Sequence, residues 1–196
     1  MSIISNRVDF ESCLNKFYNQ VNACTDEPLK WELETTKSIL KQSFLKRSVL
    51  IAIPKRSAVN EDTDVADMAM GGMEHEDEED CTVQDSTEII QLEHHIVYST
   101  SYQVPVIYFK ATFSDGTPLS HNEIFQYIIP DTYQDAVVSQ NDHPILGIPC
   151  WYIHPCDTRS LMNTMTFDPV DYIKVWLSAY GPIVKCSIPT SMFTRS

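Results

Sequence analysis

No stretch of the 196 residues approaches the roughly 18 to 20 consecutive apolar positions that cross a bilayer, so no transmembrane helix is expected. The opening residues, MSIISNRVDFESCL, lack a basic segment followed by an apolar one, and no secretory signal is expected. Internal repeats are missing, which excludes solenoids and propellers. The six cysteines have no regular spacing, which argues against a disulfide framework and for a reducing compartment. A clustered basic face, the footprint of nucleic-acid binding, is also absent. These absences leave a soluble, intracellular protein with no nucleic-acid partner.

What is present is a globular composition, 43 % hydrophobic, in a chain long enough for one well-buried domain over 1–196. The formal charge of −13 is concentrated in one place. Twelve of the 27 acids lie in 58–88, which holds no Lys or Arg, so fifteen acids face 14 bases elsewhere and the remainder is nearly neutral. The run EHEDEED, the Gly71-Gly72 pair and scattered methionines mark 56–87 as an acidic, flexible insertion between strands.

The rest of the chain reads as α+β. Val8, Cys13, Leu14, Phe17, Tyr18 and Val21 recur at helical spacing, predicting a helix over 5–23 with Ser5 or Asp9 as its cap. WELETT at 31–36 and FLKRSVLIAIPK at 44–55 predict a hairpin, although 33–42 also fits a helix. IIQLEHHIVYSTSY at 89–102 and VPVIYFKATF at 104–113 predict two long strands, with Pro105 near an edge or bend. Ser114-Asp115-Gly116 is a turn, and Ser120 with Glu123 forms a capping-box pattern for a short helix over 121–129. Residues 131–150 read as irregular, 151–154 as a last short strand, and 159–167 as a loop or short turn. Asp168-Pro169 opens a final helix that Gly181-Pro182 closes. The expected fold is an antiparallel meander of about four strands plus a short extra one, with helices at both ends of the chain.

The chemistry concentrates in WYIHPCDT, residues 151–158. Trp151, Tyr152 and Ile153 suit a strand, and Pro155 ends any ladder because it has no N–H to donate. Cys156 follows at once. Four readings stand: a packed thiol, half of a disulfide, a ligand in a zinc set with His143, Cys150 and His154, or a nucleophile at the lip of a sheet. The polar neighbours Asp157, Thr158 and Arg159 favour solvent access. A reactive thiol here could serve a Cys–His protease or an acyl carrier, which needs an exposed sulfur and oxyanion donors rather than strong activation.

The segment HPILGIPCWYIHPCDT, residues 143–158, resembles the autophagy E2-like conjugating enzymes, and most closely the autophagy-related protein 10 family. Members carry a similar His-Pro-x-x-Gly-x-Pro, then an aromatic pair, then His-Pro-Cys-x-Thr. The resemblance implies an E2-like core in which Cys156 holds a modifier as a thioester. The modifier would be the ubiquitin-like autophagy-related protein 12, received from the E1-like autophagy-related protein 7. It would pass to a lysine of autophagy-related protein 5 without a separate E3. No metal, nucleotide or other cofactor is implied. The implied setting is cytoplasmic, with recruitment to the pre-autophagosomal structure and at most peripheral membrane contact. His143-Pro144-Ile145 mimics the His-Pro-Asn of ordinary ubiquitin E2s but lacks the Asn, and Cys150 follows too soon to be their cysteine. The candidates to stabilise an oxyanion or position the reacting groups are His154, by its proximity to Cys156, and Tyr102, whose strand position in STSY resembles that of a tyrosine facing the cysteine in the family, although Tyr102 on a strand also reads as packing. Alternatives are an autophagy-related protein 3-type enzyme of lipid conjugation, a non-catalytic E2 variant that only binds its partner, and a zinc-binding adaptor.

Overall fold

Alternation of apolar residues drives the central strands. In β2 (Ser43–Pro54), β3 (Thr87–Ser99) and β4 (Val104–Phe113), every second side chain points to one face. Leu45, Ile53, Ile90, Leu92, Ile96, Ile107, Phe109 and Phe113 are all buried in the same cluster. The helices α1 (Arg7–Ala23) and α4 (Tyr172–Tyr180) cover that face with Phe10, Leu14, Phe17 and Val21 from one and Ile173, Trp176 and Leu177 from the other. Each such side chain contributes about 1.5–3 kcal/mol by leaving water, which makes this layer the main source of stability. The computed structural model describes residues 4, 6–23, 30–37, 41–54 and 87–193. The expected insertion lies outside the described residues except for Thr87, which begins β3.

With β1 (Trp31–Thr35), β5 (Val138–Asp142) and β6 (Pro149–Ile153), the sheet has six strands, all antiparallel, in the order β1-β2-β3-β4-β6-β5. The α+β expectation and the β1–β2 hairpin are borne out, but the strand count is one too low. The missed strand is β5, whose VSQND sequence carries no apolar alternation; it forms because β6 offers it a full ladder from Val138↔Ile153 to Asp142↔Pro149. Its connection to β6 is the loop read as irregular. There His143 N–H donates to Ile148 O at 2.8 Å, and Gly147 takes φ +64°, a left-handed conformation that suits glycine. His143 is buried, and burial pushes its pKa down to about 4, so its ring is neutral. Its Nδ1 then accepts from Ile145 N–H (3.2 Å) and Leu146 N–H (3.1 Å), which holds the turn closed.

Four further expectations are corrected. β3 stops at Ser99, so Tyr102 lies not on a strand but on the tight turn into β4, where Gln103 adopts φ +55°. The helix α2 (His121–Glu123) has its capping box, with Ser120 N–H donating to Glu123 Oε2 at 2.8 Å, but continues as a π-turn over Ile124–Ile128 before Pro130. Residues Thr158–Thr164 form α3 rather than a loop, because Thr158 and Met162, one turn apart, both bury against the core. At the N-terminus, Asn6 Oδ1 accepts from Asp9 N–H at 2.9 Å, so Asn6 rather than Asp9 caps α1, and Ser5 is outside the described residues.

Candidate active site

Three short pieces of chain meet where β6 ends. The strand continues one residue past Ile153, with His154 N–H donating to Val137 O at 2.8 Å. Pro155 then breaks the ladder, and Thr158 N–H turns back to Pro155 O at 3.2 Å to start α3. Cys156 and Asp157 sit on the outside of that turn. Of the four described cysteines, Cys13, Cys150 and Cys186 are buried and only Cys156 is exposed. The same turn explains both the break in the ladder and the access to the thiol.

The two candidates chosen from sequence come together beside it, although 52 residues separate them. Cys156 N–H donates to His154 Nδ1 at 3.3 Å. With Nδ1 accepting, the neutral imidazole carries its hydrogen on Nε2, which lies 3.1 Å from Tyr102 Oη. The ring therefore donates to the phenol oxygen and leaves the phenol proton available to another acceptor. The two rings meet edge to face at 5.3 Å and 80°. Tyr102 is 42 % exposed, so its hydroxyl is reachable from solvent.

Sequence reasoning missed what holds Tyr102. Arg159, on the first turn of α3, donates through Nη2 to Tyr102 O at 2.8 Å and to Gln103 Oε1 at 3.0 Å, locking the β3–β4 turn to the cysteine loop. Tyr180, at the end of α4, bonds the side chain of buried Thr158 and so fixes the other flank. Both contacts cross between distant segments, and no local pattern announces them.

The electrostatics are not those of an activated thiolate. Partial desolvation pushes the Cys156 thiol above its ordinary pKa, and Asp157 adds to this by accepting from Sγ at 3.4 Å. A groove of about 470 Å³ runs up to the site, lined by Tyr98, Tyr102, Tyr108, Tyr152, His154 and Pro155 among others. The four residues of the zinc reading do not assemble. His143 and Cys150 are buried at the β5–β6 hairpin, and no set of three or more His, Cys, Asp or Glu among the described residues is arranged to hold a metal. What remains is an accessible protonated thiol beside a hydrogen-bonded Tyr–His pair.

A family model described as autophagocytosis associated protein, active-site domain, matches residues 9–191. The chain belongs to this family. The relatives it resembles include ATG10 proteins. It is 37 % identical over 129 residues to the ubiquitin-like-conjugating enzyme ATG10 of Homo sapiens, covering 58 % of this chain and 58 % of that protein. It is 35 % identical over 129 residues to the ATG10 enzyme of Dictyostelium discoideum, covering 55 % of this chain and 56 % of that one. The match thus spans little more than half the length of either relative. A crystal structure of the autophagic E2 Atg10 covers 88 % of this chain and 92 % of that one at 13 % identity, with a TM-score of 0.44. No helix among the described residues is long and apolar enough to cross a membrane.

Proposed function

We propose that the protein is an E2-like conjugating enzyme of autophagy that carries a ubiquitin-like modifier as a thioester on Cys156. The modifier is autophagy-related protein 12, taken from the E1-like autophagy-related protein 7 and passed to a lysine of autophagy-related protein 5. The observation that carries the reading is the placement of the one exposed described cysteine at the end of β6, against the Tyr102–His154 pair.

In the loading step a thiol with an ordinary or raised pKa is sufficient, because the incoming thioester is already energised and thiol and thiolate exchange quickly. The groove offers an extended chain terminus a path between the β3–β4 turn and the β5–β6 hairpin as far as His154 and Pro155, next to Cys156. In the transfer step a lysine attacks the carbonyl carbon and negative charge grows on its oxygen. No Asn stands after His143-Pro144 to meet that charge. Tyr102 supplies the donor in this reading: His154 Nε2–H fills one lone pair of the phenol oxygen and polarises the O–H that remains to be given. His154 is then a positioning residue, held in the right tautomer by the Cys156 amide.

The test is an adduct assay with the E1, ATP and the modifier. Cys156→Ser is expected to trap the modifier as an oxyester that survives dithiothreitol, while Cys150→Ser still forms the reducible thioester. Loss of the thioester in Cys150→Ser alone would overturn the assignment. Partner binding with no dithiothreitol-sensitive adduct in the unmodified protein would indicate a non-catalytic E2 variant.

A further inference from the structure

Asp157 occupies the N-cap position of α3 but does not behave as a cap. An aspartate there ordinarily turns its carboxylate onto the second or third backbone N–H of the helix, a bond worth about 1 kcal/mol. Here the residue has φ −93° and ψ −8°, not the extended backbone of a cap, and its side chain makes no capping bond. The carboxylate faces the sulfur instead, with Oδ2 at 3.4 Å from Cys156 Sγ. The nearest cation along the chain, Arg159, spends Nη2 on Tyr102 O and Gln103 Oε1. A carboxylate at this distance is the wrong neighbour for making a thiolate, since it favours the protonated thiol. The diversion of a cap toward a thiol that it deactivates calls for a role in another step.

We propose that Asp157 accepts the proton of the attacking lysine during transfer, a catalytic role that rests on the thioester reading above. Acylation of Cys156 removes the S–H, so the carboxylate loses its donor and is left beside the acyl sulfur with its acceptor capacity open. A lysine ammonium, charged at neutral pH, is attracted there and must lose a proton before its nitrogen can attack. The nitrogen gives one proton to Asp157 and forms the C–N bond. The tetrahedral intermediate then collapses, the C–S bond breaks, and the electron pair leaves on sulfur. Asp157 returns its proton to the thiolate, and the second proton of the ammonium goes to solvent. The cycle ends in the Sγ–H···Oδ2 contact that the structure contains. The other titratable groups around the pair are His154 and Tyr102 on one side, Arg159 on α3 and Tyr180 at the end of α4.

Asp157→Asn separates this role from simple support of the loop. The purified modifier thioester is discharged with free lysine, which is protonated at neutral pH, and in parallel with hydroxylamine, which is not. Discharge to lysine is expected to fall at least about a hundredfold, at the low end of what a general base supplies, with its pH profile displaced upward. Discharge to hydroxylamine is expected to change much less. In the protein without modifier, alkylation of Cys156 by iodoacetamide is expected to become faster at a given pH, because the thiolate no longer faces the negative charge of a carboxylate. Equal slowing with both nucleophiles, unchanged discharge to lysine, or an unchanged alkylation profile would each overturn the proposal. Failure of the unmodified protein to form any thioester would overturn the carrier reading itself, and this role with it.

Discussion

At the scale of the residue, the site turns on what Tyr102 can give. Its backbone carbonyl is held by Arg159 and its phenol oxygen by His154, so the side chain is fixed without being buried. An exposed, oriented hydroxyl is more useful to a developing charge than a mobile one, because no reorganisation is needed when the charge appears. Tyr102→Phe keeps the ring and its edge contact with His154 and removes only the donor. Loading of the modifier should persist, and transfer to lysine should fall by about a hundredfold, the lower range for an oxyanion donor. The thermal midpoint should barely move, since exposed positions usually change stability by no more than about 0.5 kcal/mol. Single-turnover discharge of the preformed thioester measures this directly; a rate equal to that of the parent protein would remove Tyr102 from the mechanism. His154 would then be left as a group that holds the cysteine loop through the Cys156 amide.

At the scale of the element, the site depends on how the C-terminal segments dock on β3. His94 points into the helix-covered face, fully buried, with Nε2 at 2.8 Å from Val184 O in the turn Gly181–Val184 that follows α4. Burial is the main cause that brings its pKa down to about 4, and Arg47 acts in the same direction. His143 in the β5–β6 loop is brought to about 4 by burial as well. For both, the unfolded chain binds the proton more readily than the folded one. Their contribution is therefore complete above the unfolded value near 6.5 and is lost as pH falls toward 4. Between pH 7.5 and 5.5 each should cost about 1 kcal/mol of stability. Urea unfolding at the two pH values should show the loss, and His94→Gln should remove about half of it; an unchanged slope in the variant would mean that His94 is not the buried neutral base described. The same docking explains what could be read from sequence and what could not. β2, β3, β4 and α1 were legible because one face of each is apolar at the right period. β5 was not, since its polar VSQND exists as a strand only through the ladder with β6. α3 was not, because its helical state follows from burying Thr158 and Met162 against distant segments. Cys156 and His154 stand out in the sequence as a local motif ended by Pro155, and Tyr102 was named from the family resemblance; the structure places the three side by side. Its place on a turn, the Arg159 anchor and the Asp157 contact all depend on tertiary arrangement.

At the scale of the whole molecule, the described fold accounts for itself without the acidic segment. Pro54 and Thr87 are direct partners across the β2–β3 ladder, so the chain leaves and re-enters the sheet at adjacent points. A hairpin can be closed there by a few residues, and closing a shorter loop costs less entropy, about 0.6 kcal/mol for each halving of length. Deletion of residues 58–86 leaves Lys55, Arg56 and Ser57 as a three-residue connection and removes eleven acids and no bases, taking the formal charge from −13 to −2. The ladder on both sides of the cut is unchanged, and so is the site, which forms from the β3–β4 turn, the end of β6 and α3, at the opposite end of β3 from Thr87. The shortened protein should unfold cooperatively, with stability equal to or above that of the parent, and should form the Cys156 thioester to the same extent at high salt. Any difference in loading should appear at low ionic strength, where the lost charge would otherwise act on a partner over about 10 Å or more. Loss of cooperative unfolding in circular dichroism would show that 58–86 contributes to the core. Intact unfolding with loading lost at every salt concentration would show instead that the segment itself contacts the E1 or the modifier.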